Sequence, residues 1–372
     1  MTDVVFRCDA STKIGSGHVM RCLVLADLIA HRGLSSLFIC RQHQGHCGTQ
    51  ITDKGYRLVL LPLQSPVDVS QASGSSPDYR TWLGAEMAED AAQTIDIIRD
   101  VDATWVVADH YAIGADWERR VKAATGARLL AIDGQANRSH ACDQLLDPSF
   151  SVQGKERWAD LVPAECTVFA GLRYALLRPE FKQARKHMEA TPKPKSAIKR
   201  LFICFGGFDH ANATACAVEA VMALERHDWL VDVVVGAGYP HLSALRQLIG
   251  SRSGIALHVA PANMAKLMAQ ADLAVSAGGG MVIELAYLAV PSLVLCVAHN
   301  QRAMVEALAE RGAVIPLGDF DLRNAPSIRR TIMATLKEQF ANPGRLDTIR
   351  DVLRHEIPFQ DDLFHSVMEC SQ

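Results

Sequence analysis

No apolar run in this chain reaches membrane-spanning length, and no basic stripe crosses it. The formal net charge is only -3, which leaves no electrostatic footprint for nucleic acid and favours a small-molecule partner. No CxxC pair occurs among the ten cysteines. Cys40, Cys204 and Cys296 lie inside apolar runs, where a thiol behaves as a small buried hydrophobe, so reduced cysteines are expected. No short repeat or low-complexity tract appears. The opening "VVFRCDA" carries no basic n-region and no removable apolar segment, and a cytoplasmic protein is expected from that.

What is present is the composition of a soluble globular chain, 49% hydrophobic and 21% charged over 372 residues, a length that suggests two domains. Short apolar runs (Val4–Cys8, Ser36–Cys40, "TWVVADH", "ARLLAID") alternate with helical patterns (Gly17–Arg32, and near Gly84–Arg99), the βαβ rhythm of a parallel sheet. The Ser-, Pro- and Gly-rich stretch Gln64–Tyr79 reads as a loop, and a loop of that length is often functional. A second rhythm begins at "KRLFICFGGFD", with helices expected from about Ala211, over Leu242–Ile249, over Met264–Gln270 and after Gly280. Between the two lies a basic segment containing Pro192 and Pro194, read as a linker. The expected division is therefore an N-terminal domain over 1–183, a linker over 184–200 and a C-terminal domain over 201–372, the last helical segment being free to cap either domain.

Three glycine-bounded turns follow strands. In "KIGSGHVMRCLVLADLIA" the apolar stripe starts a helix close to Gly17 and His18, and the free amides of its first turn attract an anion. His18 then stands at the positive end of a helix dipole, where a neutral ring able to accept a proton is favoured. On this motif alone a solvated histidine in a strand-to-helix turn is an equal alternative. GxGxxG fails because Met20 stands at the third glycine, which disfavours a dehydrogenase. In "ICFGGFDHANAT", Gly206 and Gly207 end a strand, and Asp209 or Asn212 can cap the next helix. In "AVSAGGGMVIEL", Gly278, Gly279 and Gly280 form an anion-receptive turn, and Glu284, one turn on, can hold a ribose diol. His43, His46 and Cys47 of "HQGHC" lack a fourth ligand for a closed zinc site and read as loop residues near a substrate.

Six spaced blocks, "FRCDASTKIGSGHVMRCLVLA", "VVADHYAIGADWE", "LVPAECTVFAGLRYALLRPEF", "ICFGGFD", "VSAGGGMVIEL" and "HNQRAMVEALAERG", resemble in order those of the PseG/SpsG family of UDP-sugar hydrolases, up to about Gly312. The resemblance implies an α/β protein of MurG-like GT-B architecture, with two Rossmann-like domains whose parallel sheets face across a nucleotide-sugar cleft. It implies hydrolysis of UDP-2,4-diacetamido-2,4,6-trideoxy-beta-L-altropyranose in pseudaminic acid biosynthesis, with His18 catalytic and Tyr111 and Asn300 supporting it. For substrate and UDP binding it implies Arg7, Asp9, Gly15, Gly17, Asp109, Gly206, Gly207, Met264, Gly278, Gly279, Gly280, Glu284 and Gln301. No metal or other cofactor is expected, nor a membrane or nucleic-acid partner, and the protein is expected as a monomer or weak homo-oligomer.

The chain departs from the family at two points. Gly134 stands in "IDGQA" where an acidic residue is common, and Gly280–Met281 where a hydroxyl residue is common, so the sugar accepted can differ. UDP is a good leaving group, so one base to activate water and donors to hold the diphosphate suffice, without the paired carboxylates of ordinary glycosidases. A GT-B glycosyltransferase using a UDP-sugar donor is the neighbouring alternative, since fold alone does not decide between water and another acceptor. A non-catalytic UDP-sugar binder is the third reading, disfavoured because binding UDP requires no base.

Overall fold

The computed structural model describes residues 2–64, 79–190 and 198–359. The chain divides into two compact units, one up to Leu176 and the other over Leu177–Phe359.

The first unit runs β1 (Val4–Cys8), α1 (Gly17–Ala30), β2 (Ser36–Arg41), α2 (Gly48–Asp53), β3 (Arg57–Leu61), α3 (Arg80–Leu83) and α4 (Met87–Val101). It continues through β4 (Trp105–Asp109), α5 (Ala115–Thr125), β5 (Arg128–Ile132), β6 (Gln144–Asp147) and β7 (Thr167–Ala170). The strands form one parallel sheet in the order β3-β2-β1-β4-β5-β6-β7. Buried strands of a parallel sheet send alternate residues to two covered faces. β1 does so: Val4, Phe6 and Cys8 pack with Val19, Leu23 and Ala26 of α1, while Val5 packs on the opposite face with Ala91, Ile98 and Trp117. The sheet order reverses between β1 and β4, so the carboxyl ends of these neighbours form the switch point at which such sheets take ligands.

The second unit runs α6 (Pro179–Ala190), β8 (Arg200–Cys204), α7 (Ala213–Met222), β9 (Leu230–Val235), α8 (Leu242–Ile249), β10 (Ile255–Val259), α9 (Met264–Gln270) and β11 (Leu273–Ala277). It ends with α10 (Gly280–Tyr287), β12 (Ser292–Cys296), α11 (Arg302–Glu310), β13 (Ile315–Asp319), α12 (Ala325–Ala341) and α13 (Gly344–His355). Its parallel sheet has the order β10-β9-β8-β11-β12-β13. Phe202 and Cys204 of β8 pack with Leu267, Met268 and Leu285 from α9 and α10.

The division falls earlier than the expected boundary at residue 183. Phe181 of α6 is fully buried in the second unit's core, and Ala184 and Met188 lie against it, so the first part of the expected linker is a helix of that unit. The proline-containing remainder, residues 191–197, lies outside the described residues, as do 65–78 of the serine-rich loop. Of the last segment, α13 packs on α10 within the second unit, and residues 360–372 lie outside the description. No helix among the described residues is long and apolar enough to cross a membrane.

Candidate active site

Asp109 closes β4 and is fully buried. His18 Nδ1 lies 2.5 Å from its Oδ1, and Arg21 reaches both carboxylate oxygens, Nε to Oδ2 and Nη2 to Oδ1, at 2.5 Å each. Burial pushes this carboxyl's pKa up, but Arg21 and His18 outweigh burial and hold it well below the usual carboxylate range. Asp109 is therefore ionised and can only accept. The hydrogen between the two side chains belongs to His18 Nδ1, which in a neutral ring leaves the lone pair on Nε2. Arg21 Nη2 is also 3.2 Å from His18 Nδ1, but two N–H groups do not bond, so this proximity follows from their shared partner Oδ1. A carboxylate that fixes the tautomer of an imidazole is the arrangement of a general base.

The turn before α1 sets this geometry. Gly15 has φ +82, the left-handed region that favours glycine, and donates its N–H to the Ser11 carbonyl at 2.8 Å. Ser11 Oγ in turn accepts the N–H of Ile14 at 2.9 Å. Gly17 opens α1, and a Cβ there would meet nothing within 4 Å, so the approach to the helix N-terminus is open. Tyr111 presents an edge contact to the His18 ring, with centroids 4.6 Å apart and planes at 80°. Tyr79 and Trp82 flank Tyr111 at 5.2 and 5.9 Å, a small aromatic wall beside the His18 ring.

Arg7, expected among the binding residues, is instead fully buried inside the sheet. Its guanidinium bonds Asp90 of α4 through Nε at 3.1 Å and Nη2 at 2.6 Å, and its Nη1 lies 2.8 Å from Asp9. Arg41 and the Trp117 indole complete the set around Asp90, at 2.5 and 3.0 Å. Burial opposes the Asp90 charge, yet Arg7 and Arg41 hold its pKa down to about 2. Arg7 is thus a strut that pins α4 and the end of β1. Asp9, just past β1, accepts the Arg41 backbone N–H at 2.6 Å.

In the second unit the glycine turns stand at strand ends. Gly206 (φ +102) and Gly207 follow β8, and Asp209 caps α7 by accepting the N–H groups of Ala213 and Thr214 at 3.0 and 2.8 Å. Asn212, the other expected cap, accepts the Tyr239 hydroxyl instead. Gly278 and Gly279 follow β11, and Gly280 opens α10. A Cβ on Gly278 would lie 2.3 Å from Val305 of α11, so the turn is pressed against that helix, whereas one on Gly280 would meet nothing within 4 Å. Gln301 braces the same turn: its Oε1 accepts the Val297 N–H at 3.0 Å, and its Nε2 would lie 3.4 Å from a Cβ on Gly279. Asn300 sits in the short 3-10 turn His299–Gln301 after β12. Met264 opens α9 and packs on the core, as does Met281.

Glu284 pairs with Arg178 at 3.3 Å. Burial raises its pKa, the nearby Arg178 opposes, and the balance is about 7. At Gly134 an added Cβ would lie 3.2 Å from Ser149 and 3.4 Å from an oxygen of Asp147. A side chain there would crowd Ser149, while the Asp147 charge is already paired with Arg157.

Several functional neighbours escaped sequence reasoning. Arg21 lies three residues after His18, on the same helix face, and that spacing was the available signal. The Asp90 set joins residues too far apart in sequence for any local pattern.

Two parallel-sheet units with glycine turns at strand ends define a Rossmann-like, GT-B fold. Acinetobacter baumannii MurG has this fold, with a TM-score of 0.63 covering 98% of each chain at 14% identity. The UDP-GlcNAc 2-epimerase of Neisseria meningitidis, solved with UDP-GlcNAc bound, gives 0.57 over 94% of each chain, also at 14% identity. No model of a known protein family matches the chain. Among individual proteins it resembles the UDP-2,4-diacetamido-2,4,6-trideoxy-beta-L-altropyranose hydrolase of Campylobacter jejuni, with 26% identity over 83% of this chain and 97% of that protein. It also resembles the spore coat polysaccharide biosynthesis protein SpsG of Bacillus subtilis, 26% identical over 55% of this chain and 59% of SpsG.

Proposed function

We propose that this protein is a cytoplasmic hydrolase of a UDP-linked 2,4-diacetamido-2,4,6-trideoxy hexose, releasing the free sugar and UDP in pseudaminic acid biosynthesis. The observation that carries the reading is the pairing of His18 Nδ1 with the ionised Asp109, beside the open Gly15–Gly17 turn. In the neutral ring Nε2 is left to take a proton from water. The water oxygen bonds to the anomeric carbon, its proton passes to His18 Nε2, and the bond from that carbon to the UDP oxygen breaks. UDP departs with that oxygen and both electrons. Tyr111 and Asn300 keep the supporting roles that the resemblance implies.

UDP is assigned to the turns of the second unit, Gly206–Gly207 and Gly278–Gly280, whose amides suit a diphosphate, with Glu284 on the ribose. The similarity to the C. jejuni hydrolase supports water as acceptor. A glycosyltransferase is the second reading, favoured by fold neighbours such as WaaG, described as a glycosyltransferase involved in lipopolysaccharide biosynthesis. Incubation of the pure protein with the UDP-sugar and no acceptor separates them. Stoichiometric UDP and free sugar are expected, and an intact donor would refute hydrolysis.

A further inference from the structure

The aromatic wall beside His18 is carried by α3, a helix of 4 residues, and by Tyr79 just before it. Leu83 seats α3 in the core with Val5, Ile39 and Trp117. A Cβ on Gly84, which follows α3, would lie 2.8 Å from the His43 ring and 2.8 Å from Leu63, so the end of the helix is pressed onto those residues. The Gly84 carbonyl accepts the Gln64 N–H at 2.9 Å, and His43 hydrogen-bonds the Trp82 backbone. α3 is therefore locked to the loops after β2 and β3. Tyr79 and Trp82, three positions apart and so on one side of the turn, stay half-buried and converge on Tyr111. They also brace each other, with ring centroids 4.7 Å apart and planes at 70°.

Asp109 holds His18 at Nδ1. A hydrogen bond at one atom fixes the tautomer and anchors one side of the ring, but it leaves the ring some tilt about that atom. The edge contact with Tyr111, at 4.6 Å and 80°, limits the tilt and with it the direction of Nε2. Tyr111 is held in turn. The Arg138 guanidinium lies 5.9 Å from its ring centroid and is itself fixed by Asp133 at 2.9 Å, and Tyr79 and Trp82 supply the remaining aromatic contacts given above. Among the described residues neither Tyr79 nor Trp82 makes a ring contact with His18, so their hold on it passes through Tyr111.

We infer that Tyr79 and Trp82 are positioning residues for the proposed reaction: they keep Tyr111 against the His18 ring and so fix the direction of Nε2. The inference rests on the hydrolase reading above, and one arm of its test does not depend on turnover. In protein labelled with heavy carbon at histidine Cε1, the His18 resonance is identified by its absence from His18→Asn. Trp82→Ala should move and broaden that resonance, because the ring current of Tyr111 moves with its ring, and Trp82→Phe, which keeps a ring against Tyr111, should restore it. Cooperative thermal unfolding checks that each variant is folded, and Tyr79→Leu carries the same comparisons if Trp82→Ala does not fold. In turnover, Trp82→Ala should lower kcat by roughly 10-fold or more, toward the roughly 100-fold that a misplacement of about 1 Å can cost, with KM little changed and with recovery in Trp82→Phe. Combined with Tyr111→Ala it should lower kcat no further, since the residue it acts through is gone. An unmoved His18 resonance, or a loss of kcat that adds in full to that of Tyr111→Ala, would overturn the inference. A loss confined to KM would make the two rings substrate contacts and overturn it as well. A wild-type protein that hydrolyses no UDP-sugar would fail the proposed reaction, and the His18 resonance would still decide whether α3 holds the ring.

Discussion

His140 offers a stability measurement that reaches the site through neighbouring contacts. Its ring is buried between Glu118 of α5, 2.6 Å from Nδ1, and Asp133 past β5, 3.1 Å from Nε2. Burial disfavours its charge, but hydrogen bonds to the two carboxylates prevail and raise its pKa from 6.5 to about 9. Both ring nitrogens then donate, as their acceptor-only partners require. Asp133 is shared with Arg138, which also bonds the carbonyls of Ile113 and His110, so the imidazolium braces the loop that carries Tyr111. At about 1.4 kcal/mol for each tenfold change in proton affinity, this elevation is worth about 3 kcal/mol. The folded pKa is raised, so the contribution is complete below pH 6.5 and is lost as pH rises through about 9. Denaturant titrations of wild type and His140→Gln from pH 6 to pH 10 read it directly. The variant should be less stable by about 3 kcal/mol at pH 6, and the gap should close toward pH 10, because groups that titrate in both proteins cancel in the difference. Parallel curves across that range would refute a buried imidazolium.

Two further outcomes concern the second unit. Glu284→Gln should weaken UDP binding by about 1.5–3 kcal/mol, as for hydrogen bonds to a charged group. Because the Glu284 pKa is about 7, wild-type affinity should fall relative to that variant as pH drops through 7, while the phosphate titration common to both cancels; calorimetry at pH 6 and 8 checks both, and an unchanged affinity would remove Glu284 from the ribose. Gly278→Ala should cost about 1–3 kcal/mol by driving a methyl into Val305, whereas Gly280→Ser, in open space at a helix start, should stay within about 0.5 kcal/mol of the parent in thermal unfolding.

Local pattern carried the sequence reading far where the structure is local. Met264–Gln270 and Leu242–Ile249 are helices over those same residues, because a short apolar stripe between turn signals determines both ends. The strand-end position of the glycine turns was legible because strand ends and helix starts have their own turn chemistry. Arg7, named for binding only through the resemblance, is held in the fold by Asp90 of α4, 83 positions away, a pairing no local pattern announces. α6 was hidden by composition, because only Phe181, Ala184 and Met188 seat it in the second core and charged residues are interspersed among them.

The proposed reaction turns on His18 Nε2 taking a proton from water as that water attacks the anomeric carbon. Single turnover in heavy-oxygen water, with mass analysis of both products, tests it most directly for wild type and His18→Asn. The label should enter the sugar and not UDP, and the variant should turn over roughly 10²–10⁴-fold more slowly, the usual share of general-base catalysis, with UDP affinity little changed. Label in the UDP would mean attack at phosphorus, and full turnover in the variant would mean that the base lies elsewhere; either would contradict the mechanism.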